Sequence, residues 1–146
     1  MMLELLATLA AGLFSGASIY VNLVEHPARM QCGTALAVAQ WGPSYQRATV
    51  MQASLAAVGF LSATAAWILG AGGFWLIGSI LLGLVVPFTV IVVLPTNRKL
   101  LSQDLDKESP DTRRLLDRWA TLHAVRSVLS FSSFLVFLLL LTRSLR

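Results

Sequence analysis

The sequence predicts an all-α integral membrane protein: a four-transmembrane-helix bundle with two long connectors on one membrane face and a tight glycine-rich turn on the other. Three observations predict it. Of 146 residues, 56% are hydrophobic and 12% charged, and the mean hydropathy is +0.73, far too apolar for an ordinary soluble domain. No charged residue lies between Arg47 and Arg98, a run long enough for two helical spans of about 20 residues each. Two further apolar runs, 5–24 and 119–142, are uncharged apart from Arg126.

The first of these runs supplies helix one, expected over residues 2–25 and stopping at His26-Pro27, because the residue before proline is pushed out of helical geometry. Residues 1–6 carry Glu4 and no Lys or Arg, so the basic start of a signal peptide is missing and the run reads as a retained helix. A connector of about 20 residues follows, holding Arg29, Gly33, Trp41, Gly42, Pro43, Tyr45 and Arg47; it is too polar to cross the bilayer and aromatic enough to lie on it. Helix two is expected over 49–69 and closes at Gly70-Ala71-Gly72-Gly73. Helix three is expected over 74–94 and stops at Pro95. Within it Pro87 cannot donate to the carbonyl of Gly83, which predicts a kink. The stretch 96–109 contains Asp104, Asp106, Lys107 and Glu108 and reads as a solvated loop. Ser109-Pro110-Asp111 then reads as N-cap, N1 proline and first-turn acid. Helix four runs from 110 to 142, roughly 50 Å at 1.5 Å per residue, so its first turns project beyond the membrane. With no internal repeat, residues 1–146 read as a single domain.

The net charge of +4 comes from basic residues that flank spans, not from a patch on a soluble domain, which excludes a nucleic-acid binder. The two connector regions hold Arg29, Arg47, Arg98, Lys99, Lys107, Arg113, Arg114 and Arg118, against Arg143 and Arg146 on the opposite side. The positive-inside rule places both connectors in the cytoplasm and both termini outside. Cys32, the single cysteine, can form neither an internal disulfide nor a multi-cysteine metal site.

Helix parity brings the end of helix one, the start of helix two, the end of helix three and the start of helix four to one face, and the unusual polar residues collect there. Helix one carries Ser15, Ser18, Asn22 and Glu25 along one stripe with His26 adjoining; helix two opens with Tyr45, Thr49 and Gln52. Helix three ends in Pro95-Thr96-Asn97, and helix four carries Trp119, His123, Arg126, Ser130 and Ser133. Interhelical hydrogen bonds worth about 0.6 kcal/mol each account for the serines. Arg126 is different, since a central arginine costs about 2.5 to 3.5 kcal/mol on insertion scales. It snorkels, pairs with Glu25, or serves a site.

His26 and His123 are the only histidines. With Glu25 they form a candidate two-histidine, one-carboxylate metal set. Neighbouring residues on a helix point about 100° apart, so Glu25 and His26 reach one metal only if the Pro27 stop distorts the backbone. Metal ligation, general acid or base action and plain interfacial hydrogen bonding all stay open for this trio. So does the cofactor: none, a non-haem metal (iron or copper), or haem, for which there is no attachment motif.

Six segments carry a family resemblance: Glu25-His26-Pro27-Ala28-Arg29; Trp41-Gly42-Pro43-Ser44-Tyr45-Gln46-Arg47; Met51-Gln52; Pro87-Phe88-Thr89; Leu94-Pro95-Thr96-Asn97; and Trp119-Ala120-Thr121-Leu122-His123-Ala124-Val125-Arg126. Together they resemble the anthrone-oxygenase-like integral membrane family, over essentially the whole chain. The resemblance implies four transmembrane helices and, as in the family's fungal members, oxidation of an anthrone to an anthraquinone by dioxygen. An anthrone has an acidic methylene beside an aromatic ketone, so a base can generate an electron-rich enolate that reacts with dioxygen. His123, His26 or Glu25 can supply that base, and Arg126 or Arg29 can stabilise the oxyanion or a superoxide. Trp41, Tyr45 and Trp119 can pack on a flat polycyclic substrate, although the same aromatics suit an interfacial belt. Asn22, Arg29, Arg47, Gln52 and Asn97 complete the expected substrate-binding set.

The expected function is therefore a membrane-embedded oxidoreductase acting on a hydrophobic, anthrone-like substrate. The rival class is a non-enzymatic four-helix membrane protein that binds a small hydrophobic ligand or haem, or that assists assembly of a membrane complex. The expected partners are the lipid bilayer and a hydrophobic small molecule, with an oligomer left open.

Overall fold

The computed structural model describes residues 1–144. Four long helices make it up: α1 Met2–Gln31, α2 Thr34–Ala71, α3 Gly73–Leu100 and α4 Pro110–Ser144, each long and apolar enough to cross a membrane. No strand occurs among the described residues. The chain is an integral, multi-pass membrane protein. α1 packs on α2 and α4, α3 packs on the same two, and the diagonal pairs scarcely meet, as in an antiparallel four-helix bundle. Each helix turns apolar side chains outward, among them Leu9, Ile68, Ile91 and Val128, the surface a hydrocarbon solvent requires.

Two expected helix ends are corrected. α1 does not stop at His26-Pro27: a π-helical stretch, Val21–Glu25, leads into the regular turns His26–Gln31. α3 does not stop at Pro95: a second π-helical stretch, Thr89–Val93, leads into Leu94–Leu100. The same device serves both. A proline ring clashes with the carbonyl four residues earlier, which belongs to Leu23 for Pro27 and to Ile91 for Pro95. Each of those residues is the middle one of its π stretch, where the backbone has already widened to i→i+5 bonding. The widened turn makes room for the ring, and the helix continues.

The first connector is corrected too, because only Cys32 and Gly33 separate α1 from α2. Gly33 takes φ 89°, a left-handed conformation that side chains with a Cβ resist. The aromatic-rich stretch expected to lie on the bilayer is thus the first turns of α2. That helix runs straight through Pro43, whose missing donor frees the carbonyl of Ala39, an exposed residue. The turn into α3 has Gly70 at φ 91° and Gly72 at φ 108°. The regular helical bonding of α3 breaks at Leu84, next to the Gly83 carbonyl that Pro87 cannot serve, while Leu84 itself keeps helical φ −61° and ψ −22°. Ser109 caps α4 by accepting the Thr112 N–H at 3.2 Å. Arg113 donates to the Met30 carbonyl at 3.2 Å, tying the start of α4 to the last turns of α1.

The core comes in two apolar halves. One gathers Ala7, Ala11, Phe14, Ala56, Trp75, Leu82, Val85 and Phe137. The other gathers Val21, Met30, Ala37, Trp41, Val93, Leu116 and Trp119. Close approach is secured by small residues: the Phe137 ring lies where a Cβ on Gly78 would stand, stacked on Trp75 at 5.2 Å. Between the halves, in chain order along every helix except α3, stand Ser18, Gln52, His123, Arg126, Ser127 and Ser130, with Asn22 next to Val21 at the edge of the second half.

Candidate functional site

This polar layer is built on the expected stripes. Asn22 sits in the first π stretch, a distortion common at functional sites, and reaches across to α4. Its Nδ2 donates to the Ala120 carbonyl at 3.0 Å, and its Oδ1 lies 2.8 Å from His123 Nδ1 and accepts from Ser127 Oγ at 2.7 Å. One layer deeper, Arg126 Nη2 donates to Gln52 Oε1 at 2.7 Å, and Gln52 Nε2 donates to Ser18 Oγ at 3.3 Å. The Arg126 guanidinium lies 5.7 Å from the centroid of Phe14. Its Nε is buried without a partner.

Above the layer the aromatic residues form a cluster. Trp119 packs on His26 at 5.4 Å and on His123 at 4.8 Å between ring centroids, and edge-on against Trp41 at 5.7 Å. Trp41 stacks in turn on Tyr45 at 5.0 Å, and the Arg29 guanidinium stands 5.9 Å from the Trp119 ring. The two histidines thus meet through one indole. Both ring nitrogens of His26, and Nε1 of Trp41 and of Trp119, are buried without hydrogen-bond partners.

Glu25 does not join them. Its Oε1 is bonded by Arg29, by Gln40 Nε2 at 2.9 Å and by Ser44 Oγ at 2.7 Å, which turns that oxygen toward α2. The expected pairing of Glu25 with Arg126 is corrected by the same contacts: Arg29 is the partner of Glu25, and Arg126 makes no ion pair among the described residues. Nor do three or more His, Cys, Asp or Glu side chains gather to hold a metal ion among those residues. Arg47 is exposed. Asn97 is fully buried with neither amide atom bonded, but it lines no part of the cavity described next.

A narrow slot of about 20 Å³, room for about one water, lies between the aromatic cluster and the polar layer, lined by Arg29, Trp41, Tyr45, Gln52, Trp119, His123 and Arg126 among others. It shares Tyr45, Thr49, Gln52 and Arg126 with a wider chamber of about 180 Å³, which Phe14, Val85, Val86, Thr89 and Val90 close on its apolar side. That chamber shares Ala53, Ala56 and Val86 with an open apolar groove between α2 and α3, bordered by Phe60, Gly83 and Pro87. Groove, chamber and slot therefore lie side by side, the chamber reaching Arg126 and the slot reaching both Arg126 and His123. Residues 41–136, about two thirds of the chain, match the family model described as anthrone oxygenase. The chain belongs to the anthrone oxygenase family. No curated protein and no solved structure matches it. The matched stretch holds Trp41, Tyr45, Gln52, Trp119, His123 and Arg126, so most of the slot is family sequence; Asn22 and Arg29 lie before it.

Several contributors were not among the expected site residues. Ser127 follows His123 by one helical turn and belongs to the same stripe, so the spacing was there to find it. Gln40 and Ser44 became visible only when the connector proved helical and turned them toward Glu25. Phe14, Val86 and Thr89 are ordinary apolar-span residues whose place in the wall depends on how α2 and α3 diverge.

Proposed function

We propose that this family member is a membrane-embedded oxygenase that takes a flat, lipid-soluble anthrone-like substrate from the bilayer and oxidises its methylene with dioxygen. The observation that carries this reading is an apolar groove and chamber adjoining a buried guanidinium that, among the described residues, has no carboxylate partner and lies on the same helix face as a histidine. A polycyclic ketone presents matching chemistry: an apolar body for the chamber between α2 and α3, and one oxygen for Arg126.

In this reading His123 is the base. It removes a methylene proton, and the electron pair delocalises onto the ketone oxygen, giving an enolate. Arg126, held by Gln52, faces that oxygen. In a dry, low-dielectric site such a fixed donor is worth a few kcal/mol of barrier. The enolate carbon gives one electron to dioxygen, the two radicals couple, and the resulting hydroperoxide loses its remaining C–H proton as the O–O bond breaks. The products are a quinone carbonyl and water, one dioxygen being consumed per substrate. Tyr45, stacked on Trp41, and the Trp119 ring form the flat walls of the slot. Arg29 and Glu25 fasten α1 to α2 and take no part in proton transfer; His26 packs behind Trp119.

The reading keeps the connector-rich face in the cytoplasm, supported by eight Lys/Arg residues there against Arg143 and Arg146 opposite; Arg146 lies outside the described residues. Purified protein in lipid nanodiscs, given anthrone under air, should form anthraquinone well above the uncatalysed rate. Tight binding of anthrone with no acceleration would move the protein to the class of ligand carriers.

A further inference from the structure

The polar layer also settles which nitrogen of His123 is available. Asn22 Nδ2 stands 3.0 Å from the Ala120 carbonyl oxygen, a contact that requires a donor, because a carbonyl only accepts. The other end of the amide is therefore Oδ1, an acceptor, and it is the atom 2.8 Å from His123 Nδ1. Ser127 Oγ, 2.7 Å from the same oxygen, is its second donor. Two acceptors cannot bond, so Nδ1 must carry the proton. A neutral imidazole has one N–H, and the lone pair is then on Nε2. Nε2 makes no hydrogen bond among the described residues, and unlike both nitrogens of His26 it is not among the sealed, unpartnered atoms of the core.

We infer that Asn22 is a positioning residue: it holds His123 in the Nδ1–H tautomer and leaves Nε2 as the basic nitrogen at the cavity. This changes the role expected for Asn22, which is substrate binding. Its oxygen is filled by two protein donors and one N–H of its nitrogen is tied to a helix carbonyl, which leaves only the second N–H for any other partner. The π stretch Val21–Glu25 gains a purpose as well, since it is the local backbone distortion that carries Asn22 at the α1–α4 contact. Without Asn22 the ring would be free to take the opposite tautomer, with a proton on the very nitrogen that should accept one. The arrangement resembles in logic any histidine whose second nitrogen is fixed by an outer partner, here with a neutral amide in place of a carboxylate, which suits a site surrounded by lipid.

That His123 then acts as a base rests on the oxygenase reading; the tautomer does not, and the experiment separates them. The full chain, labelled with ¹⁵N-histidine and held in nanodiscs, is studied by ring-nitrogen correlation NMR, with His26→Gln used to assign the His123 signals. His123 should show a protonated Nδ1 and an unprotonated Nε2. In Asn22→Ala the proton should move to Nε2, and anthrone turnover should fall at least about tenfold in kcat with KM changed less than about twofold. Asn22→Asp restores an acceptor, and should restore the Nδ1–H form and most of the turnover lost in the alanine variant. A wild-type His123 protonated on Nε2, or an alanine variant that keeps the Nδ1–H form, overturns the inference. The wild-type spectrum decides even if neither variant folds. If the tautomer is as assigned and anthrone is not turned over, the positioning role stands and the oxygenase reading falls.

Discussion

Arg126 donates to the side-chain oxygen of Gln52 at 2.7 Å, so the one charge in the apolar run 119–142 is held by an amide and, among the described residues, by no carboxylate. An arginine at this depth costs a few kcal/mol to insert. Among the described residues it has no counter-ion, and it lines the chamber; in the proposed reading that charge meets the oxygen of a ligand.

The first prediction follows from that bond. Gln52→Leu removes the one hydrogen-bond partner of Arg126 and should destabilise the protein in thermal melts by more than Ser18→Ala does. Glu25 and Arg126 should behave independently. The double change Glu25→Gln with Arg126→Gln should equal the sum of the single effects to within about 0.5 kcal/mol. Mutual rescue between them would restore the ion pair that the structure lacks.

The second concerns the chemistry of the guanidinium. Arg126→Lys keeps the charge but not the planar fork that can hold Gln52 and a ligand oxygen together. We expect kcat/KM for anthrone to fall about 10-fold in the lysine variant and about 100-fold or more in Arg126→Gln, with expression and melting temperature close to wild type for lysine. Equal activity of wild type and lysine variant would leave the fork without a role.

Much of this was legible in the sequence, and the reasons it was legible are physical. Fifty uncharged residues cannot sit in water, so the spans between Arg47 and Arg98 announce themselves. The stripe Trp119, His123, Arg126 and Ser130 follows helical spacing, and all four are buried. What the sequence concealed was local backbone geometry. Pro27 and Pro95 carry strong stop signals, and nothing in Val21–Glu25 or Thr89–Val93 advertises the π turns that cancel them. Once α1 and α2 extend, Glu25 faces Gln40 and Ser44 instead of Arg126. The partners of Glu25 thus trace to the widened turn in α1 and to the early start of α2 at Thr34.

The third prediction tests access from the bilayer. Ala53 is exposed and borders both the chamber and the groove. Ala53→Trp should obstruct the path without entering the core, raising KM for anthrone about 10-fold while the melting temperature moves by no more than a few degrees, the usual scale for a surface substitution. Unchanged kinetics would mean that substrate arrives by another way.

The fourth concerns sidedness. In a Cys32→Ser background, a cysteine at Ser102 should resist a membrane-impermeant maleimide in intact cells, while one at Ser144 should label. Both positions are exposed, so burial would not confuse the result. Labelling at Ser102 alone would invert the topology.

The most direct test of the account is the stoichiometry of dioxygen consumed to anthraquinone formed, measured together for the wild type and His123→Gln in nanodiscs. The account predicts one dioxygen per quinone in the wild type. In the variant it predicts a rate reduced at least about 100-fold, the usual contribution of a general base, with anthrone still bound. A variant as fast as the wild type, or a wild type that binds anthrone and consumes no dioxygen, would contradict it.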